Sequence, residues 1–537
     1  MMNQRFRIQL TLALLFLLFL SRAQNTLISG VINIYTQVNT ISAQTLQVSN
    51  SAGFTAGSEV LIMQMKGVSV NPSNSINYGT ITSYNDAGNY EFALVASVSG
   101  NNIVLNAPLS RTYNTQFPVQ LVYVPVYANA TVSSTLTCPV WNGYTGGVLA
   151  LIVCGNLTLN NSISATAKGF RGSAAFTGSQ SCVGDSSNYV LSSPNLMSSL
   201  KGEGVFVTNS SNEMSRGKNA NGGGGANNVN GGGAGGGNFG AGGRGGDFQS
   251  VYTCPPSYQL YCGGVGGQAL AYSNTANKVF MGGAGGTGHD NNGTSTPGGN
   301  GGGIIIIKAG NIIGNNQSIR SDGDSVTFLN SIDGQGGGGA GGSILLDVPS
   351  VSFLNVSAKG GFGGSDNYSG WDCHGKGGGG GGGLVWTSMN LPGLNTQLTG
   401  GNPGTFLSSS SPCYATSLGA TQGGNGGLLG GLSLPGQIRK CEFVGLEEFG
   451  SSHGALMISP NPVNVTLNLV IQGCDIGEVA ELSILNILGE KLYTENFLIR
   501  AFSIQKELHL ETLSEGTYFL RLKAGQSLSN TRFIIRH

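Results

Sequence analysis

Four stretches of the chain repeat one order of apolar runs and turn formers: residues 146–172 (GGVLALIVCGNLTLNNSISATAKGFRG), 301–324 (GGGIIIIKAGNIIGNNQSIRSDGD), 341–364 (GGSILLDVPSVSFLNVSAKGGFGG) and 382–404 (GGLVWTSMNLPGLNTQLTGGNPG). In each, a glycine pair opens an apolar run (148–153, 304–307, 344–346, 384–386). A second apolar set follows in three of them (Leu157 and Leu159; Ile312 and Ile313; Val351 and Phe353), then a single apolar position in all four (Ile163, Ile319, Val356, Leu398). Short β-branched runs bounded by turn residues predict strands. Units this short cannot bury both faces alone, so the pattern predicts stacked rungs of a β-solenoid. Ahead of them, residues 24–130 carry alternating segments at 45–48, 59–65, 90–98, 102–105 and 119–126, with turn residues at 85–88 and 99–102. That spacing predicts a small antiparallel barrel or sandwich that leads into the solenoid and covers its first rung. The expected fold is mainly β: an N-terminal β module (24–130), a glycine-rich solenoid region (131–435), a linker (436–454) and a C-terminal module (455–537).

Composition changes the reading of what lies between the repeats. Of 537 residues 91 are glycine and only 16 proline, and 9% are charged, with 25 basic and 25 acidic side chains. No charge footprint points to nucleic acid or an anionic membrane. Low charge also argues against disorder, which combines high net charge with low hydrophobicity. Residues 173–300 contain GGGGANNVNGGGAGGGNFGAGGRGGD, which composition alone reads as a flexible linker. Spacing reads differently: Asn238, Ala241, Arg244 and Asp247 are three apart, as are Ala284, Thr287 and Asp290; Lys359, Phe362 and Ser365; and Gln422, Asn425 and Leu428. An extended helix with three residues per turn puts such side chains on one edge and leaves two bare faces free to exchange backbone hydrogen bonds. These segments resemble the polyglycine-II domains of certain phage adhesins and receptor ectodomains. Both readings, packed glycine helices and linker, remain open at this point.

Residues 1–23 predict a signal peptide: Arg5 and Arg7, an apolar 10–20, then Ser21-Arg22-Ala23. No later run is apolar and long enough to span a bilayer, so no transmembrane segment is expected in the mature chain. Eight cysteines precede residue 455 and Cys474 follows. An even set in an exported chain predicts disulfides. Cys254 and Cys262, around PPSYQLY, are the expected pair.

The C-terminal module carries Pro460-Asn461-Pro462, a strand-like 465–471, AELSILNIL before Gly489, then LSEGTYFLRL with Gly516 and Tyr518, and a short apolar, basic end with Arg532 and Arg536. This order resembles the type A C-terminal sorting domain of the type IX secretion system of the Bacteroidetes. The resemblance implies a seven-stranded Ig-like sandwich, recognition by the secretion machinery, a secreted or cell-surface location, and release or attachment to surface lipopolysaccharide. It has no enzymatic meaning.

Chemistry is sparse. Neither a G-x-S-x-G elbow nor H-E-x-x-H occurs, and the five histidines (289, 374, 453, 509, 537) do not cluster in sequence. No catalytic residue, metal site or cofactor is expected. Asp322 and Asp324 read as turn residues before they read as a calcium or carboxylate pair. Two aromatic clusters are candidates for binding: Tyr368, Trp371, Asp372 and His374 in one loop, and Tyr258 and Tyr261 in the Cys254–Cys262 segment. Aromatic faces beside hydrogen-bonding groups suit sugar rings; the same aromatics also serve as local cover over a glycine scaffold. The sequence therefore points to an exported, glycine-rich β-solenoid adhesin or matrix protein, with glycans or cell surfaces as partners. The rival is a solenoid polysaccharide lyase or glycoside hydrolase, for which Lys308, Asp347 and Lys359 are the rung residues available. Ice binding lacks its regular threonine ladder.

Overall fold

The computed structural model describes residues 25–536 apart from 180–186, 251–253, 255–260, 294, 328–331, 440, 442–454, 473–476, 488, 502 and 525–526. The expected signal peptide, Tyr258, Cys182 and Cys474 lie outside the described residues, as does most of the expected linker. Every named element is a strand. No helix among the described residues is long and apolar enough to cross a membrane. The chain forms two compact units, Met1–Cys441 and Glu442–His537.

In the first unit the four repeats are successive parallel rungs in register, and a short strand, Gly427–Leu429, adds to the last of them. Leu149, Ile305, Ile344, Val385 and Leu428 form one row, and Ala150, Ile306, Leu345, Trp386 and Leu429 the next. The apolar runs that open the four repeats are buried on both faces, which explains why they are continuous. Leu149, Ile305, Ile344 and Val385 point into a core closed by Leu157, Ile163, Ile319 and Val356 from the second half of each rung. Ala150, Ile306, Leu345 and Trp386 point the other way, against Leu61, Met63, Phe92 and Phe280. Two positions differ from expectation. Phe353 sits at a corner with φ 48° and is exposed, and Leu354 fills the core in its place. Thr396 aligns with Val356, while Leu398 packs only at the margin of this core.

The N-terminal segment divides. Strand Asn25–Val31 belongs to the solenoid, parallel to Asn129–Thr137. Between them, six strands close an antiparallel barrel in the order Tyr35–Ser42, Thr45–Val48, Asn102–Leu105, Tyr90–Ser99, Glu59–Gln64 and Val119–Tyr123. Strand Glu59–Gln64 is wholly buried because Val60 and Ile62 fill the barrel while Leu61 and Met63 face the rungs. The barrel thus covers a side of the stack. Residues 435–439 return to it, where Phe92 donates to Pro435 O and accepts from the Gln437 amide, and Cys441 is bonded to Cys154 on the first rung, 287 residues away.

The glycine segments form few strands, yet most of their glycines are buried and their amides are hydrogen-bonded to neighbouring segments. Along residues 232–237, successive amides turn to three different neighbours. Gly232 and Gly235 donate to Gly246 and Gly243; Gly233 and Gly236 to Gln335 and Gly338; Ala234 and Gly237 to Gly224 and Asn221. Each pair advances by three residues. Gly338 and Gly341 in turn donate to Gly378 and Gly381, and Gly378 and Gly381 donate back to Gly233 and Gly236. Three segments therefore form a closed ring of donors and acceptors. A side chain on most of these glycines would meet a neighbouring carbonyl at close to 2 Å.

The second unit has two antiparallel sheets around one apolar core. One has three strands (Ala455–Ser459, Thr466–Gln472, Ser503–His509), the other four (Lys491–Leu498, Val479–Leu485, Gly516–Ala524, Ser527–Ile535).

Candidate functional site

Where glycine run 360–364 ends, the chain leaves the packed segments as a loop and re-enters at 375. Two further loops meet it there. Gln249 and Cys373 exchange both backbone hydrogen bonds, at 2.9 and 2.7 Å, and Ser250 Oγ bonds the Asp372 carboxylate. Cys373 is disulfide-bonded to Cys413 in the third loop, and Leu407 N–H donates to Asp366 O at 2.8 Å. His374 is stacked between Phe248 (5.7 Å) and Tyr368 (5.3 Å). Burial, and then the charge of Lys376, pull its pKa down to about 3, so the ring is neutral. Its Nδ1 has no hydrogen-bond partner. Beneath the stack Lys376 and Asp366 form an ion pair with no exposed surface, under the ring of Phe406.

The sequence-selected residues thus separate into two kinds. Tyr368, Asp372 and His374 are tied into the junction of the loops as cover and clamp. Trp371 and Tyr261 are 68% and 63% exposed. The third loop adds Tyr414, 54% exposed, which sequence reasoning did not select although Cys413 stands beside it. Each of the three loops therefore presents an exposed aromatic ring among its described residues. The expected Cys254–Cys262 bridge does not form. Cys254 is disulfide-bonded elsewhere, and the Cys262 sulfur remains a thiol that accepts the Phe248 amide at 3.2 Å. Burial pushes that thiol up to about 12. The PPSYQLY spacing made closure sterically reasonable, and both sulfurs do lie in one apolar cluster with Val229 and Phe248, but Cys254 is bonded to another cysteine and Cys262 stays a thiol.

The charged rung residues are engaged with one another. Lys308 pairs with Asp347 on the next rung at 2.6 Å. Asp322 accepts from Arg320, Ser357 Oγ and the Lys359 amide, which leaves it a structural role across rungs. Asp290 is hydrogen-bonded to the side chain of Asp333, but both are buried, beyond reach of a polymer. Elsewhere in this unit, a cleft of about 490 Å³ lies between Val68, Val70, Tyr78 and Phe117 on the N-terminal side and Val190 and Phe206 from the long excursion.

In the second unit the Pro460-Asn461-Pro462 motif secures the last strand. Asn461 Oδ1 accepts from the Ile534 amide at 3.0 Å and its Nδ2 donates to Arg532 O at 3.1 Å. Tyr518 O–H donates to Ser514 O at 2.7 Å, fixing the corner before its strand. Gly489 turns the chain at φ 80° with open space around it, and Gly516 opens the Tyr518 strand.

Residues 457–536 match the secretion system C-terminal sorting domain family. The protein is therefore secreted or held at the outer-membrane cell surface, and its sorting domain interacts with the type IX secretion machinery. No curated protein matches the chain. Among solved structures it is similar to chitinase ChiW of Paenibacillus sp. str. FPU-7, at 12% identity and TM-score 0.14, over 43% of this chain and 22% of that one. It is also similar to tailspike gp49 of Pseudomonas phage LKA1, at 9% identity and TM-score 0.14 over 90% and 83% of the two chains. A third is the Gp54 tailspike of Acinetobacter baumannii bacteriophage AP22, crystallised with a capsular saccharide, at 9%, 0.14, 94% and 84%. Likeness at these scores carries no argument about fold or activity.

Proposed function

We propose that the protein is a cell-surface or released adhesin or matrix component whose loops bind glycans. The observation that carries this reading is the meeting of three loops, each with an exposed aromatic (Tyr261, Trp371, Tyr414), clamped by a disulfide and seated on buried backbone. Exposed rings on rigid supports bind sugars at low entropic cost, through C–H contact with the ring face. The supports themselves we read as polyglycine-II-type helices packed beside a β-solenoid, on the three-residue advance of their hydrogen bonds. The C-terminal unit we read as an Ig-like sandwich, with release from or attachment to surface lipopolysaccharide as its consequence after export. The lyase or hydrolase reading is weaker, because such an enzyme needs accessible acid and base groups, and Lys308 and Asp347 are paired across rungs while Asp322 is held by Arg320, Ser357 Oγ and the Lys359 amide. A glycan array with the full secreted chain tests the proposal. Binding that falls about tenfold or more in Trp371→Ala, at unchanged thermal stability, supports it. No binding to any glycan, or loss of polymer viscosity on incubation, overturns it.

A further inference from the structure

We propose that Lys376 and Asp366 become joined by an isopeptide bond, formed by condensation within the folded chain. The two side chains touch, Nζ against Oδ2, and neither has any exposed surface. Holding an ammonium and a carboxylate there costs several kcal/mol per ion before their attraction is counted. The neutral pair avoids that cost, and with Lys376 lowered to about 8 a fraction of it is present beside the ion pair at neutral pH. Burial lowers the pKa of Lys376 and raises that of Asp366, and their mutual attraction opposes both shifts. The neutral forms, a free amine and a carboxylic acid, are the two partners that condensation to an amide requires.

The surroundings suit that reaction. The Phe406 ring, its centre 3.5 Å from Nζ, forms a dry wall, held by a single parallel backbone bridge between Phe406 and Asp366. The Tyr368 amide donates to Asp366 Oδ1 at 3.2 Å, the oxygen on which negative charge develops when Nζ adds to the carboxyl carbon. In the step itself the neutral Nζ adds to Cγ and Oδ1 takes up the charge. The carbonyl then re-forms as the Cγ–Oδ2 bond breaks. One Nζ proton passes to the departing Oδ2 hydroxyl, which leaves as water. One C–N bond replaces one C–O bond, and no oxidant or other reactant is consumed. In bulk water the ionised pair would be favoured over the amide. A pocket that excludes water removes that alternative and releases the product water to solvent. Fixed contact between the two groups supplies an effective concentration of order 10⁵ M or more.

The bond would close residues 366–376 into a covalent ring at the point where two glycine segments meet the loop carrying Tyr368, Trp371 and His374. Unlike the neighbouring Cys373–Cys413 disulfide, it would survive reduction. It is independent of what the loop binds.

The test is mass spectrometry of the secreted full-length chain, reduced, alkylated, denatured and digested with trypsin. Between Lys359 and Arg439 the one tryptic site is Lys376. An acylated Lys376 is not cleaved, so the expected product is a single peptide of residues 360–439, one water lighter than its sequence. Fragmentation should place the loss between Asp366 and Lys376. Lys376→Arg serves as the control: its digest should be cut after position 376 into two peptides of full mass. Two full-mass peptides from the wild-type protein, ending and beginning at 376 and 377, overturn the proposal. So does loss of water from a peptide that trypsin still cuts there, which marks a succinimide at Asp366.

Discussion

His289 and His374 are both withdrawn from water, and burial lowers the pKa of each, to about 4 and about 3. In the unfolded chain each takes up a proton near 6.5. The unfolded state then binds more protons than the native state at every pH between those limits, so stability falls as the solution is acidified from about 6.5 and continues to fall down to about 3. Replacing His374 by Phe keeps a ring between Phe248 and Tyr368 but removes one titrating group. The drop in melting temperature between pH 7 and pH 4 should be smaller in His374→Phe than in the wild type. An unchanged drop would mean that His374 is solvated. Sequence reasoning singled out this histidine by the aromatics around it, but its burial was not legible. The ring that closes one side of the stack, Phe248, is more than a hundred residues away in sequence. The Asn461 motif was legible as a family feature, whereas its hydrogen bonds to the last strand require the sheet to be assembled.

At the scale of elements the rungs were the most legible part, because parallel stacking demands the same residue class at the same place in every copy. The slips fell at corners. Phe353 and Leu354 are adjacent and both apolar, so composition cannot say which one turns inward; the positive φ at 353 decides it. Strand Asn25–Val31 was assigned to the wrong module for a similar reason, since a strand beside a barrel looks the same in sequence whichever sheet it joins. Glycine segments divide by position. Residues 377–383 are glycine without interruption and wholly buried, while the G-G-x edge at 359–365 shows Phe362 to solvent. Asn238 departs from its outward series: it is buried, with Nδ2 on Gly341 O. This arrangement makes a paired prediction. At Gly243 a side-chain carbon would lie 1.9 Å from the Thr421 carbonyl oxygen, while Ala241 is already exposed. Gly243→Val should cost on the order of 3 kcal/mol in denaturant unfolding, and Ala241→Val within about 0.5 kcal/mol of nothing. Equal, small effects at both positions would mean that the segments do not pack as described.

At the scale of the molecule, export and folding reside in different units. The first unit closes on itself: residues 435–439 return to the barrel, Arg439 donates to Glu59, and Cys441 is bonded to Cys154. A disulfide across so long a loop stabilises by roughly 6 kcal/mol on the chain-entropy account, and nothing beyond Cys441 is needed to form it. The second unit has its own core, from Val463 to Ile535. Deleting residues 442–537 should therefore leave a protein that melts within a few degrees of the corresponding transition in the full chain, yet remains in the periplasm. Cell fractionation beside thermal unfolding separates the two effects. A truncated protein that reaches the surface would show that the sorting signal lies elsewhere. One that is retained and also unfolded would show that the first unit depends on the second for its stability, contrary to the closure made by Cys154 and Cys441.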